Sequence, residues 1–302
     1  MSRPLAASVI AKAYVSACRL DVEALKPGNV HVHAAGHGMQ VSDFLESAEV
    51  SAPFIADPAL SVGTRVRRAV EATFDAVGCN TNLGIVLLAA PLAAAFGDGP
   101  VDLGLAERLA QVLDSLDHED ACEVYKAIAR ANPAGLGTET GRLDVRGEPP
   151  AGARLRELMC RARTRDLIAE EHCTAFALVR HLSEDYEADL ARGTAPAGAL
   201  SRLFLKELAR RLDTHIVRKH GPDAAERVRR AAEKTLAETE PLARDGWSNP
   251  PVTLRLLALD TALKSDGLNP GALADISAAA ALLTQLKRLA SSSDGTGVNE
   301  LT

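Results

Sequence analysis

The 302-residue sequence predicts an all-α fold, organised as one multi-helix domain over residues 1–290. Apolar residues recur at helical spacing along most of the chain, as Leu5, Val9 and Ala13 do near the N-terminus. No stretch shows the alternation of apolar and polar residues that is typical of a half-buried β-strand. Short polar breaks rich in Gly, Pro and Asn separate the apolar segments. Residues 291–302 are rich in Ser, Gly and Thr and are predicted to form a disordered tail.

The N-terminal half contains helical segments over residues 4–24, from 44 onward, and over 61–74, 85–95, 102–116 and 119–130. The first ends before a proline, because proline removes a helical hydrogen bond. Ser42 and Asp43 are placed to cap the second, with Glu46 in the position of a capping box. Ser61 opens the third. Residues 85–95, the fourth segment, are apolar around the whole circumference, which predicts burial on most sides.

The C-terminal half continues with helical segments over residues 153–183, 198–219, 223–239, 252–264 and 271–288. Ahead of them, Asn132–Gly137 ends the preceding helix, because Pro133 and the small residues around it cannot continue a helix. Residues 138–150 are polar and Gly-rich, which predicts an extended excursion over the surface.

The charge and composition of the chain exclude several classes of protein. A formal net charge of -6 gives no general attraction to nucleic acid or to an anionic membrane. Aromatic residues make up 3% of the chain, too few for platforms that stack single-stranded bases. No apolar run has membrane-spanning length, and the N-terminus lacks the features of a signal peptide. We therefore expect a cytoplasmic protein.

The cysteines are scattered along the chain without a CxxC pair. This spacing argues against a zinc site and against a disulfide framework. We expect reduced, mostly buried thiols at all five positions, Cys18, Cys79, Cys122, Cys160 and Cys173.

Four polar breaks interrupt the helical pattern, over residues 26–39, 80–84, 132–137 and 269–271. The first contains Lys26, Gly28, Asn29 and His37, a set that suits a polyanion, because glycines leave backbone amides accessible. Helix N-termini are anion sites, so several converging breaks would form a nucleotide cleft with little positive charge. A plain alternative stays open, in which the first break only joins two helices and the asparagines are ordinary caps.

Two aspartates lie in segments predicted to be helical, among apolar neighbours. These are Asp213 and Asp260. A buried carboxylate needs a counter-charge or hydrogen-bond donors, and Mg²⁺ is a common reason for a phosphate-handling protein to keep one. Arg165 lies in a charged run where a surface ion pair is an equal alternative. Lys219 ends the helix of Asp213, where a cation also suits the helix dipole.

The order of the segments resembles that of the triphosphoribosyl-dephospho-coenzyme A synthase family. The segments are KPGNV, GHGM, DFLESA, NTNLGIVLLAAPL, NPAGLG, RDLIAEE, LDTHIVRKHG and LDTALKSDGLNPGALAD, spread over residues 20–285. Members of that family are all-helical. The resemblance implies a reaction in which ATP is joined to 3′-dephospho-coenzyme A and adenine is released, giving the prosthetic-group precursor of citrate or malonate decarboxylating lyase complexes.

Two segments depart from the citrate-lyase-type pattern. His37-Gly38-Met39 stands where those members have His-Asp-Met, and Asn80–Gly84 reads Asn-Thr-Asn-Leu-Gly in place of Asn-Thr-His-Lys-Gly. These forms resemble a subgroup of methanogens and methylotrophs that is linked to tetrahydromethanopterin metabolism. The resemblance therefore leaves two acceptors open, dephospho-coenzyme A and a pterin precursor.

The resemblance also implies roles for the candidate residues. Asp213 and Asp260 are expected to hold Mg²⁺ on the phosphates of ATP and to serve the chemistry, with His37 or His215 as acid or base. The expected nucleotide-binding residues are Lys26, Gly28, Asn29, Asn80, Thr81, Asn82, Gly84, Asn132, Arg165, Lys219 and Asn269. The expected partners are small molecules, ATP and a coenzyme precursor, and we allow for a homodimer. Two other functions stay open, a magnesium-dependent nucleotide phosphohydrolase and an inactive nucleotide-binding protein.

Overall fold

The computed structural model describes residues 4–97, 103–133 and 147–292. Across these ranges the chain is helical, and its β-structure is limited to two isolated bridges, both within the 26–39 break. The predicted all-α fold is thus confirmed. Most of the predicted excursion over 138–150, and the tail from 293 onward, lie outside the described residues. Ser291 and Ser292 are the last residues of a helix.

The fourteen α-helices of the described ranges, with one 3-10 turn at Glu240–Asp245, are α1 (Ala7–Glu23), α2 (Val41–Ala56), α3 (Val62–Val77), α4 (Leu83–Gly97), α5 (Leu105–Ser115), α6 (His118–Ala131), α7 (Leu155–Ala162), α8 (Leu167–Cys173), α9 (Ala177–Ala191), α10 (Pro196–Arg210), α11 (Thr214–His220), α12 (Pro222–Thr239), α13 (Pro250–Ser265) and α14 (Gly271–Ser292).

Helices α4 and α14 form the centre of the core. Nearly every residue of α4 is buried, as predicted for 85–95, and Leu88 and Leu92 are completely inaccessible. Helix α14 packs against α1, α4, α9 and α10. Burial of apolar surface around both helices is the main stabilising contribution to such a core. Even so, no helix of the described ranges combines the length and apolarity needed to cross a membrane.

Two long predicted helices are divided in the structure. Residues 153–183 form α7, α8 and part of α9, and residues 198–219 form α10 and α11. The division results from N-capping. The side chain of Asp166 accepts hydrogen bonds from first-turn amides of α8, and the side chain of Asp213 accepts one from the first turn of α11. Each aspartate therefore begins a new helix. Helix α2 begins at Val41, earlier than predicted. Its N-cap is Gln40, whose backbone amide donates to the Asp43 side chain.

A disulfide joins Cys160 of α7 to Cys173 at the end of α8. The expectation of reduced thiols is wrong for this pair. The two residues are 13 positions apart, and a helical sequence gives no sign that α8 turns back on α7 to bring their Cα atoms within 4.8 Å. The other three cysteines are free thiols, and Cys18 is buried.

Candidate functional site

A cavity of about 520 Å³ lies where the four polar breaks meet. Each break places residues on its lining: Asn29 and Met39 from the first, Asn80, Thr81 and Gly84 from the second, Pro133 from the third, and Asn269 and Gly271 from the fourth. The N-terminal turns of α4 and α14 therefore face the same space. The structure thus brings together loops that are as far as 240 residues apart in the sequence.

The first and fourth breaks are in close contact. Gly28 has a φ of +85°, and a Cβ atom there would lie 2.8 Å from Pro270 Cδ and 2.9 Å from the Leu268 carbonyl oxygen. Only glycine fits both the backbone angle and the contact. Next to it, Asn29 Nδ2 donates to Asn269 Oδ1 over 3.1 Å. The KPGN and LNPG segments are therefore in direct contact.

Asp260 bonds to the first break and is not part of the cavity lining. Its Oδ1 accepts a 2.8 Å hydrogen bond from the Gly28 amide, and its oxygens lie 3.2 Å from His31 Nε2 and 3.1 Å from Lys264 Nζ. Burial acts to raise the pKa of this carboxyl, but the bonds from His31 and Gly28 keep it below its usual value. The counter-charge that the sequence predicts for Asp260 is present in the protein itself.

Asp213 is the N-cap of α11, where the sequence predicted the interior of a helix. Its Oδ1 accepts from the Ile216 amide over 3.0 Å, and its Oδ2 accepts from the Leu273 amide over 2.9 Å. The carboxylate therefore fastens the start of α11 to the first turn of α14. Burial raises its pKa to about 6. Asp213, like Asp260, is not among the cavity-lining residues.

These two carboxylates do not fit the predicted Mg²⁺ site. Magnesium takes oxygen ligands in near-octahedral geometry, whereas both oxygens of each carboxylate already accept bonds from protein donors. Within the described ranges, no group of three or more His, Cys, Asp or Glu side chains is arranged to hold a metal ion.

Lys26 is completely buried and pairs with Asp21 of α1. Its ammonium group is absent from the cavity lining, but Asp21 is part of it. Burial raises the pKa of Asp21, and the Lys26 charge opposes that shift. Lys26 does not line the cavity. Its charge favours the ionised form of Asp21, which does line it.

The predicted asparagine and threonine residues divide into two groups. Asn80 lies on the lining and its Oδ1 accepts from the Leu83 amide, which starts α4, while Thr81 donates to Ser47 Oγ. Asn82 points away and donates to Thr73 Oγ1 over 3.1 Å. Asn132 is an exposed C-cap of α6 in the left-handed region, and it does not line the cavity.

The two histidine candidates have different surroundings. His37 Nε2 donates to the Gly28 carbonyl over 2.8 Å and lies off the lining, so it supports the first break. His215 lines the cavity, and its Nδ1 lies 2.6 Å from where a Cβ of Gly271 would be. Burial, followed by the charges of Arg218 and Lys219, lowers the pKa of His215 to about 4. His215 is therefore neutral near pH 7.

The basic part of the lining consists of Arg165 and Arg218. Arg218 Nη1 donates to Asp166 Oδ2 over 3.1 Å, which ties α11 to the cap of α8. Lys219, the neighbour of Arg218, is exposed and does not line the cavity. The cation on the lining at this point of the chain is thus Arg218, one residue before the predicted Lys219.

Sequence reasoning missed several lining residues. Asp21 and Asp275 contribute carboxyl groups, and one wall is apolar, formed by Val124, Tyr125, Ile128, Leu155, Leu158 and Met159. A signal for Asp275 existed, because it is the single charged residue in the mostly apolar stretch from 271 to 286. The same criterion had selected Asp213 and Asp260. The apolar wall gave no such signal, since its residues look like ordinary core positions.

Comparison with known proteins identifies the family of the chain. The sequence model of the CitG family, described as ATP:dephospho-CoA triphosphoribosyl transferase, matches residues 7–294. A solved structure from Archaeoglobus fulgidus, provisionally named a triphosphoribosyl-dephospho-coA synthase, has the same fold, with a TM-score of 0.60 and 24% identity over 80% of this chain and 97% of that one. No match was found among curated proteins. The family match spans nearly the whole chain, and the chain therefore belongs to the CitG family of ATP:dephospho-CoA triphosphoribosyl transferases.

Proposed function

We propose that this protein transfers the triphosphoribosyl group of ATP to a hydroxyl of dephospho-coenzyme A or of a related coenzyme precursor, and releases adenine. The observation that carries the proposal is the single cavity to which all four motif-bearing breaks contribute. Family membership supplies the reaction class. Residues from motifs that are far apart in the sequence could therefore contact the same bound substrate.

The triphosphate would bind where the cavity is most positive. Arg165 and Arg218 supply full charges on the lining, and the first turns of α4 and α14 supply partial positive charge from their backbone amides. Such a site binds phosphates although the chain as a whole carries a net charge of -6. Mg²⁺ enters the proposal only as the counter-ion that ATP brings with it.

Breaking the bond between C1′ and adenine leaves positive charge on the sugar, as in glycoside hydrolysis. Carboxylates of the lining would stabilise that charge, with Asp21 and Asp166 as the candidates. His215 lines the cavity and is neutral near pH 7, so its free ring nitrogen would take the proton of the attacking hydroxyl. Asn29, whose buried Oδ1 accepts no hydrogen bond from any described group, offers an acceptor for a sugar hydroxyl or an amino group.

A pterin precursor of the tetrahydromethanopterin type is the second acceptor that we propose to test. It is supported by the departures from the citrate-lyase-type motifs, of which Leu83 lies on the cavity lining where those members have a lysine. Losing a cation from a buried site changes the phosphate groups that it accepts, and such changes can alter discrimination by powers of ten. The apolar wall would face the non-phosphate part of the acceptor.

Product analysis tests the proposal. The protein is incubated with Mg·ATP and each acceptor in turn, and free adenine and the mass of the adduct are followed by mass spectrometry. Adenine that appears together with an adduct supports the transfer and names the acceptor. ADP or AMP with phosphate, and no adenine, would instead show a phosphohydrolase. Tight ATP binding without turnover over the whole acceptor panel would show a binding protein.

A further inference from the structure

Asp275 occupies a special position among the carboxyl groups of the cavity. It lies in the second turn of α14, and its Oδ2 is only 2.0 Å from where a Cβ of Gly84 would be. A side chain at position 84 would therefore displace this carboxyl from its place. The first turn of α4 and the start of α14 can approach each other here because residue 84 is glycine.

Within the described ranges, no hydrogen bond or ion pair joins the Asp275 carboxyl to another protein group. The other two carboxylates of the lining have partners, since Asp21 pairs with Lys26 and Asp166 pairs with Arg218. Asp275 is half-buried and lies on the cavity lining, so a molecule bound in the cavity can supply the hydrogen-bond partner that the protein does not.

The surroundings of Asp275 favour its neutral form. Burial raises its pKa well above the usual value, and the negative charges of Asp21, Asp213 and Asp166 add to that shift, while Lys26 opposes it. Arg165, Arg218 and His215 belong to the same lining. His215, with a pKa of about 4, holds no proton to donate near neutrality. Among these cavity groups, Asp275 is therefore the carboxyl best placed to hold one.

We propose that Asp275 is the general acid of the transfer reaction and that its carboxyl protonates the departing adenine. This inference rests on the proposed function. The bond between C1′ and N9 breaks, its electron pair stays with adenine, and the Asp275 proton moves to a ring nitrogen of the base. The acceptor oxygen forms the new bond to C1′, and its proton moves to His215. Solvent then takes the proton from His215 and returns one to Asp275, so the balance closes.

The test is the substitution Asp275→Asn in the whole protein. Asparagine has the shape of aspartic acid and is neutral like the protonated carboxyl, so folding and the dissociation constant for ATP should change by less than about threefold. The rate of adenine release should fall by about 10²- to 10⁴-fold, the usual contribution of a general acid. The exposed Asp223→Asn substitution is the matched control and should keep the wild-type rate.

A second substrate separates a catalytic role from a structural one. N7-methylated ATP carries a positively charged base that leaves without a proton, so wild type and Asp275→Asn should release it at similar rates above the enzyme-free rate. Equal losses on ATP and on the methylated substrate would overturn the assignment, as would a wild-type rate on ATP. Should Asp275→Asn not fold, the smaller Asp275→Ala gives the same comparison. If the wild type releases no adenine, the proposed function fails first, and the role of Asp275 fails with it.

Discussion

At the scale of single residues, Glu171 links stability to pH. Its side chain is buried at the end of α8 and accepts the amides of Leu178 and Val179, and burial raises its pKa to about 7. Between pH 4.5, its ordinary pKa, and pH 7, the native state binds more protons than the unfolded state does. The free energy of unfolding should therefore fall as pH rises through this window, by up to about 3 kcal/mol.

Replacing this residue, Glu171→Gln, should remove that contribution. The variant should become more stable relative to the wild type as pH rises from 4.5 to above 7. Urea unfolding at several pH values measures the difference, and His172, whose pKa is lowered to about 4 by burial, is common to both proteins and cancels. A difference in unfolding free energy that stays constant with pH would contradict the prediction.

Asp213 provides a second prediction at this scale. In Asp213→Asn, one oxygen remains to accept a backbone amide, so one of the bonds from Ile216 and Leu273 is lost. We expect a loss of about 1 to 3 kcal/mol in the free energy of unfolding, the cost of a buried donor left unsatisfied. The magnesium dependence of ATP affinity, measured by calorimetry with and without a chelator, should stay as in the wild type. A changed magnesium dependence with unchanged stability would restore the metal role that the sequence suggested.

The buried aspartates show what residue-level reasoning can reach. Desolvation cost correctly indicated that Asp213 and Asp260 need compensation. It could not indicate the whole source, because one compensating group of each aspartate comes from a distant segment: the amide of Leu273 for Asp213, and the amide of Gly28 for Asp260. A metal ion and a backbone amide satisfy the same requirement, and only the three-dimensional structure separates them.

At the scale of elements, the first and fourth breaks are coupled through Gly28. Gly28→Ala should strain the backbone at a φ of +85° and also force the new methyl group against Pro270 and Leu268. Gly38→Ala is the matched control, because Gly38 has a φ of +77° and no atom within 4 Å of the added Cβ. Gly38→Ala should cost about 1 kcal/mol of stability, and Gly28→Ala at least about 1 kcal/mol more.

The two variants also separate strain from site geometry. Since Asn29 follows Gly28 and bonds to Asn269, displacement of the loop should weaken ATP binding in Gly28→Ala and leave it unchanged in Gly38→Ala. Urea unfolding and calorimetry provide both measurements. Equal effects of the two substitutions would mean that the contact between the breaks contributes nothing.

Element boundaries were the part of the fold that periodicity predicted least well. The apolar pattern runs through residues 153–183 without interruption, yet Asp166 begins a new helix there, and Ala175 and Phe176 adopt positive φ values before α9. Aspartate is acceptable both on a helix surface and as a cap, so its local sequence does not decide between these positions. The same ambiguity placed Asp213 inside a helix.

At the scale of the whole molecule, helical periodicity predicted the fold class, and the anion-binding character of helix N-termini predicted that the breaks converge on one cleft. Asn29, Asn80, Thr81, Gly84, Arg165, His215 and Asn269 are the predicted site residues that line it. Lys26, Gly28, His37, Asn82, Asp213 and Asp260 lie behind or beside it, in contacts that hold the loops. A sequence motif contains both the residues that line the cavity and the residues that hold its loops in place, so the motif alone does not distinguish them.

The single domain over residues 1–290 remains a prediction, and ligand-linked unfolding can test it. The cavity draws its lining from α1, α2, α4, α6, α7, α8, α11 and α14, so ATP bound there would contact helices from both halves of the chain. If these helices form one cooperative unit, thermal unfolding followed by circular dichroism at 222 nm should be a single transition. ATP at 100 times its dissociation constant should raise the free energy of unfolding of the whole domain by about 2.7 kcal/mol and its midpoint temperature by about 5 °C.

GTP at the same concentration serves as the control for non-specific anion effects in that experiment. A protein made of two units would behave differently, because a ligand stabilises only the unit that binds it. Two transitions, of which ATP shifts one, would therefore show that the chain folds as separate units. In that case the whole cavity would have to lie within one of the two units. Its lining instead includes Asp21 of α1 and Asp275 of α14, which are at opposite ends of the sequence.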